Sequence, residues 1–324
     1  MAKTVLVTGG AGFIGAYMVR RLLAEGVDVV VYDQQPRGNV LDLLLPELSA
    51  GGTRIRIETG EITDAVRLLS LCRRHGVESA VHLASPLTMD VVNNPATGIR
   101  DICLGTNVVF SVAREARLRR VVWASSVAVF GPQRDYAPGA LPDDAFHRPA
   151  NIYGSAKSLC ETLARQMAAD KGGLDIVGLR LSVVYGAGRR RGYMSYPSHL
   201  MREAAAADHV HVRFGDQRLH WQYVEEVSDM AYAALTSPRR SDGRTFNAAG
   251  DCRTWREAGA ALRLVRPALD ITIGDEIDDA LAGVVEDYDA SGFRSHHDYT
   301  PSWSLEAGIG ATLATYDAMR RREG

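Results

Sequence analysis

The chain has 324 residues, of which 46% are hydrophobic and 23% charged, and its formal net charge is −2. This length allows one large domain or two unequal ones. The near-neutral charge disfavours a nucleic acid or a membrane surface as partner. No run approaches the ~18 uninterrupted apolar residues of a membrane helix, and an apolar run that begins at Val5 leaves no room for a signal peptide. We therefore expect a cytoplasmic protein.

The cysteines and paired histidines give no sign of a metal site. Cys72, Cys103, Cys160 and Cys252 are widely scattered and form no CxxC pair, which fits a reducing compartment and predicts no metal. His296-His297 has no third ligand at metal spacing, and we expect this pair in an exposed loop.

Short apolar runs alternate with helical patterns through the first half of the chain. The predicted strands are Thr4–Thr8, Val27–Tyr32, Arg54–Glu58, Ala80–Leu83, Val121–Ala124 and Ile176–Leu181. The predicted helices are Gly12–Ala24, Asp64–Arg74, about 95–117 and about 151–170. Apolar strands with helices between them indicate a parallel sheet covered on both faces, and right-handed connections make it doubly wound. The sequence predicts an α/β protein with a Rossmann-type doubly wound parallel sheet.

The alternation weakens after Tyr185. Gly, Arg, Pro and Ser are frequent over 186–198, which predicts a loop. Helices at about 199–207, 224–236, 254–265 and 304–322 follow, with short strands between them. We predict a main domain over 1–185 and a smaller C-terminal α/β lobe over 186–324, with segments at about 209–247 returning to the main domain.

A glycine-rich loop joins the first strand to the first helix. Gly10, Gly12 and Gly15 satisfy G-x-G-x-x-G, and Gly9, Gly12 and Gly15 satisfy G-x-x-G-x-x-G. Such glycines let the backbone approach a pyrophosphate, which then lies on the free N–H groups of the following helix. The loop predicts a bound nicotinamide dinucleotide, with 1–185 as its binding domain.

Asp33 bears on which dinucleotide is bound. It stands at the end of the second predicted strand, where a carboxylate accepts hydrogen bonds from the adenosine ribose. The same carboxylate would repel a 2′-phosphate. We expect NAD rather than NADP, although Arg37 is close enough in sequence to offset part of the repulsion.

Tyr153 and Lys157 form a Y-x-x-x-K pair on a predicted helix, where residues four apart share one face. A lysine ammonium beside a phenol favours the phenolate, so Tyr153 is a candidate general base toward a substrate hydroxyl. Ser125 and Ser126 follow the strand Val121–Ala124, at the carboxyl end that faces the ligand crevice. One of these two hydroxyls can hydrogen-bond the reacting oxygen.

Together these residues resemble the extended short-chain dehydrogenase/reductase family, also called the NAD-dependent epimerase/dehydratase family. The matching segments are TGGAGFIG (8–15), Asp33, GEITD (60–64), VHLAS (81–85), SSVAVFG (125–131), YGSAK (153–157), LRLSVVYG (179–186), YVEEV (223–227) and YTPSWSLEAGI (299–309). The resemblance implies Ser126, Tyr153 and Lys157 as the catalytic residues. The cofactor-binding residues that the loop and the resemblance predict are Gly9, Gly12, Phe13, Ile14, Gly15, Asp33, Glu61, Ile62, Leu83, Ala84, Ser85, Asn107, Ser125, Tyr153 and Lys157. The resemblance further implies a homodimer through the helices at about 95–117 and 151–170.

Departures from the family pattern bear on the substrate. Ser182 stands where nucleotide-sugar members usually carry Asn, and Leu219-His220 where they often carry Arg-Asp. Ser302 stands where a phosphate-binding Arg often follows a K-P dipeptide. The missing arginines remove charge-assisted contacts to a diphosphate, which disfavours a UDP- or dTDP-sugar. Val127-Ala128, in place of an Asp-Glu pair after the catalytic serine, disfavours a dehydratase.

The candidate substrate contacts are Ser85, Ser126, Arg189, Arg190 and Trp221. The run Arg189–Arg191 is suited to hold a carboxylate or phosphate, and it is equally typical of a solvated surface. Trp221, within His220-Trp221-Gln222, either lines the pocket or packs in the core. We expect His82, Tyr185 and Tyr193 to serve packing.

We predict an NAD-dependent oxidoreductase that transfers a hydride between a secondary alcohol and the nicotinamide, with Tyr153 as general base and acid. The substrate is expected to be small and polar, such as a sugar, a sugar acid or a related hydroxy compound. The alternative is a sugar or nucleotide-sugar epimerase that uses transient oxidation by tightly bound NAD. A third hypothesis, a non-catalytic NAD-binding protein, is disfavoured by the complete set of catalytic residues.

Overall fold

The structure is a computed structural model that describes residues 3–45, 54–170, 173–192, 194–277 and 283–323. Tyr193, for which the sequence predicts a packing role, lies outside the described residues. No helix within the described ranges combines the length and the apolar character needed to cross a membrane. The cytoplasmic location stays a prediction.

A seven-stranded parallel sheet forms the centre of the fold. The strands of the described residues are β1 (Thr4–Thr8), β2 (Asp28–Asp33), β3 (Ile55–Thr59), β4 (Ser79–His82), β5 (Arg120–Ser126), β6 (Asp175–Leu181), β7 (Val183–Tyr185), β8 (His209–Val212), β9 (Arg218–Tyr223), β10 (Thr245–Asn247), β11 (Asp251–Thr254) and β12 (Asp270–Ile273). The central sheet has the order β10-β6-β5-β4-β1-β2-β3, and each of its neighbouring pairs is parallel. The order reverses between β1 and β4, which opens a ligand crevice at their carboxyl ends. The predicted fold class is confirmed.

Helices cover both faces of the sheet. They are α1 (Phe13–Ala24), α2 (Val40–Leu44), α3 (Ala65–Arg74), α4 (Thr88–Asn93), α5 (Pro95–Ile99), α6 (Gly105–Glu115), α7 (Ile152–Ala169), α8 (Tyr196–Ala206), α9 (Val224–Thr236), α10 (Trp255–Val265), α11 (Ser291–His297) and α12 (Leu305–Glu323). Successive strand side chains point to opposite faces, so Val5 and Val7 of β1 pack with α1 and α9 while Leu6 packs with α3, α6 and α7. Each fully buried side chain of this kind stabilises the fold by about 1.5–3 kcal/mol.

The helix predicted at about 95–117 is interrupted by a π-helical turn. This turn, Arg100–Leu104, lies between α5 and α6. Gly105, the first residue of α6, packs so closely that a Cβ there would lie 2.7 Å from the Ile62 side chain. The sequence does not predict this wider turn. Such turns often lie at functional sites.

The second half of the chain differs from prediction at one boundary. Helix α8 begins at Tyr196, although the composition of 186–198 predicts a loop throughout. Pro197 stands in the first turn of α8, where a missing N–H breaks no helical hydrogen bond. Two smaller sheets, β11-β9-β7 and β12-β8, also lie in this half, whereas β10 belongs to the central sheet. The domain boundary at residue 185 stays a prediction.

Candidate active site

The glycine-rich loop turns sharply between β1 and α1. Gly9 has φ +69°, and a Cβ there would lie 2.6 Å from the Ala84 nitrogen. A Cβ on Gly15 would lie 2.1 Å from the Gly9 carbonyl oxygen. A side chain at either position would displace backbone. The loop therefore packs against the segment after β4 only because both residues are glycine.

The N-terminus of α1 has the features of a phosphate-binding site. Its N-cap, Gly12, supplies no side-chain hydrogen bond, and the first turn contains no acidic residue. The backbone N–H groups of this turn, those of Phe13 and Ile14 among them, have no acceptor within the helix. The positive end of the helix dipole lies at the same place. This part of the loop fits the pyrophosphate of a dinucleotide.

Asp33 ends β2 beside the glycine loop and is half-buried. Its Oδ2 accepts a hydrogen bond from the Ala11 N–H at 3.2 Å, and its Oδ1 accepts one from the Gln35 N–H at 3.0 Å. These contacts hold the carboxylate in place and leave lone pairs for ribose hydroxyls. Arg37 lies 3.8 Å from the Asp42 carboxylate, so this arginine has an acidic partner of its own.

Glu61, Ile62 and Asn107 lie near the ends of β3 and α6. The Tyr32 hydroxyl donates to the Glu61 carbonyl at 3.0 Å, and the Ile62 side chain contacts the backbone of Gly105. Asn107 is exposed in the first turn of α6. These three residues are placed where they could contact the adenosine half of the cofactor. Their roles in cofactor binding stay predictions.

The segment Leu83–Ser85 continues from β4 and is half-buried. The Thr8 hydroxyl accepts the Ala84 N–H at 3.4 Å and lies 2.7 Å from His82 Nδ1. His82 Nε2 lies 3.2 Å from the Thr106 hydroxyl on α6. Burial lowers the pKa of His82 to about 3, which keeps the ring neutral. His82 thus links β1, β4 and α6.

Tyr153 and Lys157 stand one turn apart at the start of α7. Lys157 is buried, and its Nζ donates to the Ala124 carbonyl at 2.8 Å and lies 5.7 Å from the centroid of the Tyr153 ring. Ser126 ends β5, and its hydroxyl accepts the Ala128 N–H at 3.2 Å. A Cβ on Gly154 would lie 2.3 Å from the Ala128 carbonyl oxygen, so α7 packs directly on the turn after Ser126. The structure brings the three predicted catalytic residues to the carboxyl end of β5.

A buried polar network beneath these residues was not apparent from the sequence. Glu161, one turn beyond Lys157, is fully buried and accepts the Ser125 hydroxyl at 2.6 Å. Arg180 on β6 donates to both oxygens of Glu161, at 2.9 and 2.8 Å. His147 Nε2 lies 3.4 Å from Glu161, and burial lowers the pKa of this histidine. The Ser125 hydroxyl therefore faces the network, and the role of Ser126 toward a reacting oxygen stays a prediction.

The three consecutive arginines have different surroundings. Arg189 is half-buried, and its guanidinium donates to the Val184 carbonyl and lies 6.0 Å from the centroid of the Phe13 ring. Arg190 is exposed. Arg191 is also exposed and lies 3.3 Å from the Asp90 carboxylate. Of the three, only Arg189 lies beside the predicted cofactor loop.

Trp221 packs in the core, contrary to the prediction of a substrate contact. Its side chain is 2% exposed, and its indole N–H donates to the Arg253 carbonyl at 3.2 Å. The ring lies edge-on to Tyr185 and Trp255, with centroids 5.8 and 4.7 Å away. The period-2 alternation along β9 does not tell which face of the strand is buried. The contact of Trp221 with Trp255 shows that the Trp221 face is buried. Gln222, the next residue, instead accepts the Ser182 N–H at 2.8 Å.

Two histidine positions differ from the sequence expectation. His297 is buried within α11 against Phe246 and Phe293, whereas the pattern predicts an exposed loop. Phe246 comes from a distant strand, which explains the error. His220 on β9 stands opposite Cys252 on β11. Together with Asp287 they place potential metal-ligand atoms within 4.8 Å of one another, a grouping that sequence spacing could not reveal.

Comparisons with known proteins identify the family of this chain. The model of the NAD dependent epimerase/dehydratase family matches residues 5–249, and the chain belongs to that family. The UDP-glucose 4-epimerase of Rhizobium meliloti (strain 1021) is 31% identical over 173 residues, which is 52% of this chain and 48% of the relative. That of Azospirillum brasilense is 30% identical over 209 residues, 63% and 56% of the two chains. The chain thus spans about half the length of these curated relatives.

Solved structures share the fold over nearly the whole chain. L-threonine dehydrogenase from Clostridium difficile superposes with a TM-score of 0.84 at 19% identity, covering 98% of both chains. The UDP-glucose 4-epimerase of Thermotoga maritima with UDP-glucose gives 0.82 at 20% identity, covering 99% and 100%. MoeE5 in complex with UDP-glucose and NAD gives 0.77 at 25% identity, covering 99% and 100%. Members of the family are NAD-dependent enzymes, and the predicted family and cofactor are confirmed.

Proposed function

We propose that this protein is an NAD-dependent oxidoreductase acting on a secondary alcohol of a small polar substrate, such as a sugar, a sugar acid or a related hydroxy compound. The observation that carries the proposal is the geometry of Tyr153 and Lys157, with the buried ammonium hydrogen-bonded to Ala124 beside the Tyr153 ring. A protein that only binds NAD has no need of this arrangement.

Each catalytic side chain has a defined task in the proposed reaction. The Ser126 hydroxyl donates to the reacting oxygen and orients the carbinol toward Tyr153. Tyr153 takes the hydroxyl proton during oxidation and returns it during reduction. Lys157 places its ammonium 5.7 Å from the centroid of the Tyr153 ring, where its positive charge attracts the oxyanions that form during proton transfer. NAD, when bound, would supply the hydride acceptor, and Asp33 would favour it over NADP.

An epimerase is the second candidate, because the curated relatives named above are UDP-glucose 4-epimerases. The same residues suit that reaction if the oxidised substrate stays bound and the hydride returns to its opposite face. The absence of arginine at Leu219-His220 and at Ser302 weighs against a nucleotide diphosphate group. We therefore place the dehydrogenase first.

The two candidates are separated by one substrate panel. Sugars, sugar acids and nucleotide sugars are incubated with the enzyme and either NAD or NADP, and the nicotinamide absorbance is followed. Net NADH formation with a sugar or sugar acid supports the dehydrogenase. Inversion of a sugar without net NADH supports the epimerase and contradicts our first choice.

We also propose that the protein forms a homodimer through α5–α7. Ten large hydrophobic side chains are exposed among the described residues, and six of them lie on α4, α5, the π turn and α7: Met89, Val92, Ile99, Leu104, Ile152 and Leu159. Such clustering is typical of a protein interface. The second copy of the chain would cover this face by packing the same helices against each other.

A further inference from the structure

Arg189 lies near the start of α1, which follows the glycine-rich loop. It belongs to the segment that leaves β7, and its guanidinium lies near Phe13, the first residue of α1. A Cβ on Gly192 would lie 3.3 Å from Arg189 Nη2 and 3.8 Å from Leu87, which follows β4. The guanidinium thus sits between the cofactor loop and the segment after Ser85.

The positive charge of Arg189 has no acidic partner in the described parts of the chain. Arg180 and Arg191, by contrast, form ion pairs with Glu161 and Asp90. Burial lowers the pKa of Arg189 to about 10, and the nearby Tyr153 phenol opposes this shift. Among the described residues, the polar contact of its guanidinium is the donation to the Val184 carbonyl. Since an arginine carries five N–H donors, most of its donor capacity is unused.

A half-buried cation without a counter-ion is costly unless an anion binds beside it. In a dehydrogenase, two anions could bind beside the Arg189 guanidinium. They are the pyrophosphate of the cofactor and a charged group of the substrate. The free N–H groups of α1 would hold the pyrophosphate. Leu87 lies near the guanidinium across Gly192 and follows Ser85, a predicted substrate contact, so the second anion within reach is a charged group of the substrate.

We propose that Arg189 binds an anionic group, a carboxylate or a phosphate, on the substrate that Tyr153 deprotonates. The substrate class is then a hydroxy compound with one oxyanion, a sugar acid or a sugar phosphate rather than a neutral sugar. Two parallel N–H donors of the guanidinium match a carboxylate or phosphate edge. This inference rests on the proposed oxidoreductase activity.

The test compares matched neutral and charged substrates in wild-type enzyme and in Arg189→Gln. The pairs are glucose with glucuronate, galactose with galacturonate, and glucose with glucose 6-phosphate. For the wild type we expect kcat/KM to favour a charged member. Arg189→Gln should lower kcat/KM for that member by about 10- to 100-fold, the range of a charge-assisted contact, and leave the neutral member unchanged. Arg189→Lys should recover part of the loss.

Arg240→Gln is the matched control, because Arg240 is an exposed arginine that pairs with Asp242 outside the site, and it should behave as the wild type. The Kd for NAD is measured on all variants by quenching of tryptophan fluorescence. An Arg189→Gln enzyme that loses NAD affinity, or loses activity equally on both members of a pair, would overturn the proposal.

A binding measurement keeps this inference separate from the proposed function. Glucuronate, galacturonate and glucose 6-phosphate are each titrated calorimetrically into the NADH complex. Binding to the wild type that disappears in Arg189→Gln supports the anion site even if the panel shows no turnover, in which case only the oxidoreductase proposal fails. No binding of any of the three to the wild type contradicts the anion site.

Discussion

At the scale of single residues, the carboxylate of Asp33 is the group that we predict to bind the adenosine end of the cofactor. The two backbone N–H contacts from Ala11 and Gln35 hold it against the glycine loop, and a 2′-phosphate placed there would meet its negative charge at short range. Its position could be predicted from the sequence, because a strand of known register ends at a known distance from the loop. The residues that fix its rotamer could not, since both contacts depend on the turn geometry.

Replacing this carboxylate should change the preference between the two dinucleotides. We expect Asp33→Ser to raise the KM for NAD about tenfold, the loss of one or two hydrogen bonds, and to raise kcat/KM for NADP. Steady-state kinetics with both cofactors measure the change. Asp28→Ser, at the exposed start of the same strand, should leave the preference unaltered. An unchanged NAD to NADP ratio in Asp33→Ser would show that this residue does not choose the cofactor.

At the scale of elements, β5, β6 and α7 are joined by the network around Glu161. Tyr153 and Lys157 could be found from the sequence because both lie on one helix, four residues apart. The partners of Glu161 could not be found in this way, because Ser125 and Arg180 come from two different strands. For the same reason the sequence left two alternatives open for Trp221, and the burial of His297 against Phe246 escaped prediction.

Breaking the network should destabilise the fold far more than breaking an exposed ion pair. Glu161→Gln leaves the Arg180 guanidinium buried without its counter-ion, and we expect a loss of about 3–5 kcal/mol in the free energy of unfolding. The matched control is Glu115→Gln, which removes a well-exposed pair with Arg73 and should cost less than about 1 kcal/mol. Urea unfolding measures both variants. Equal losses would mean that Glu161 is not a structural centre of the site.

At the scale of the whole molecule, the central parallel sheet could be predicted, because apolar strands and intervening helices repeat regularly in the first half. The smaller sheets could not, since their strands are short and pair across long stretches of chain. The face formed by α5, the π turn and α7 lies outside the sheet core. Its exposed apolar side chains have no packing role within one copy of the described chain.

The proposed dimer can be tested with one charge at that face. Leu159 is 58% exposed on α7, and Leu159→Arg would place an unpaired charge in the interface, so we expect dissociation into single chains. Val66→Arg, at an 82% exposed position on α3, should remain dimeric. Sedimentation velocity gives the mass of each species. A wild-type protein that sediments as one chain would contradict the proposed interface.

Tyr153 is proposed to take the proton of the substrate hydroxyl while the hydride is transferred. The most direct test is the rate of NADH formation by the Tyr153→Phe variant. On the substrate that the panel identifies, we expect a loss of about 10²–10⁴-fold in kcat, the usual contribution of a general base, with the Kd for NAD retained. The control is Tyr232→Phe. It removes a hydroxyl on α9 that donates to the Glu25 carboxylate at 3.2 Å, and it should keep the wild-type rate. Full turnover by Tyr153→Phe would contradict the account.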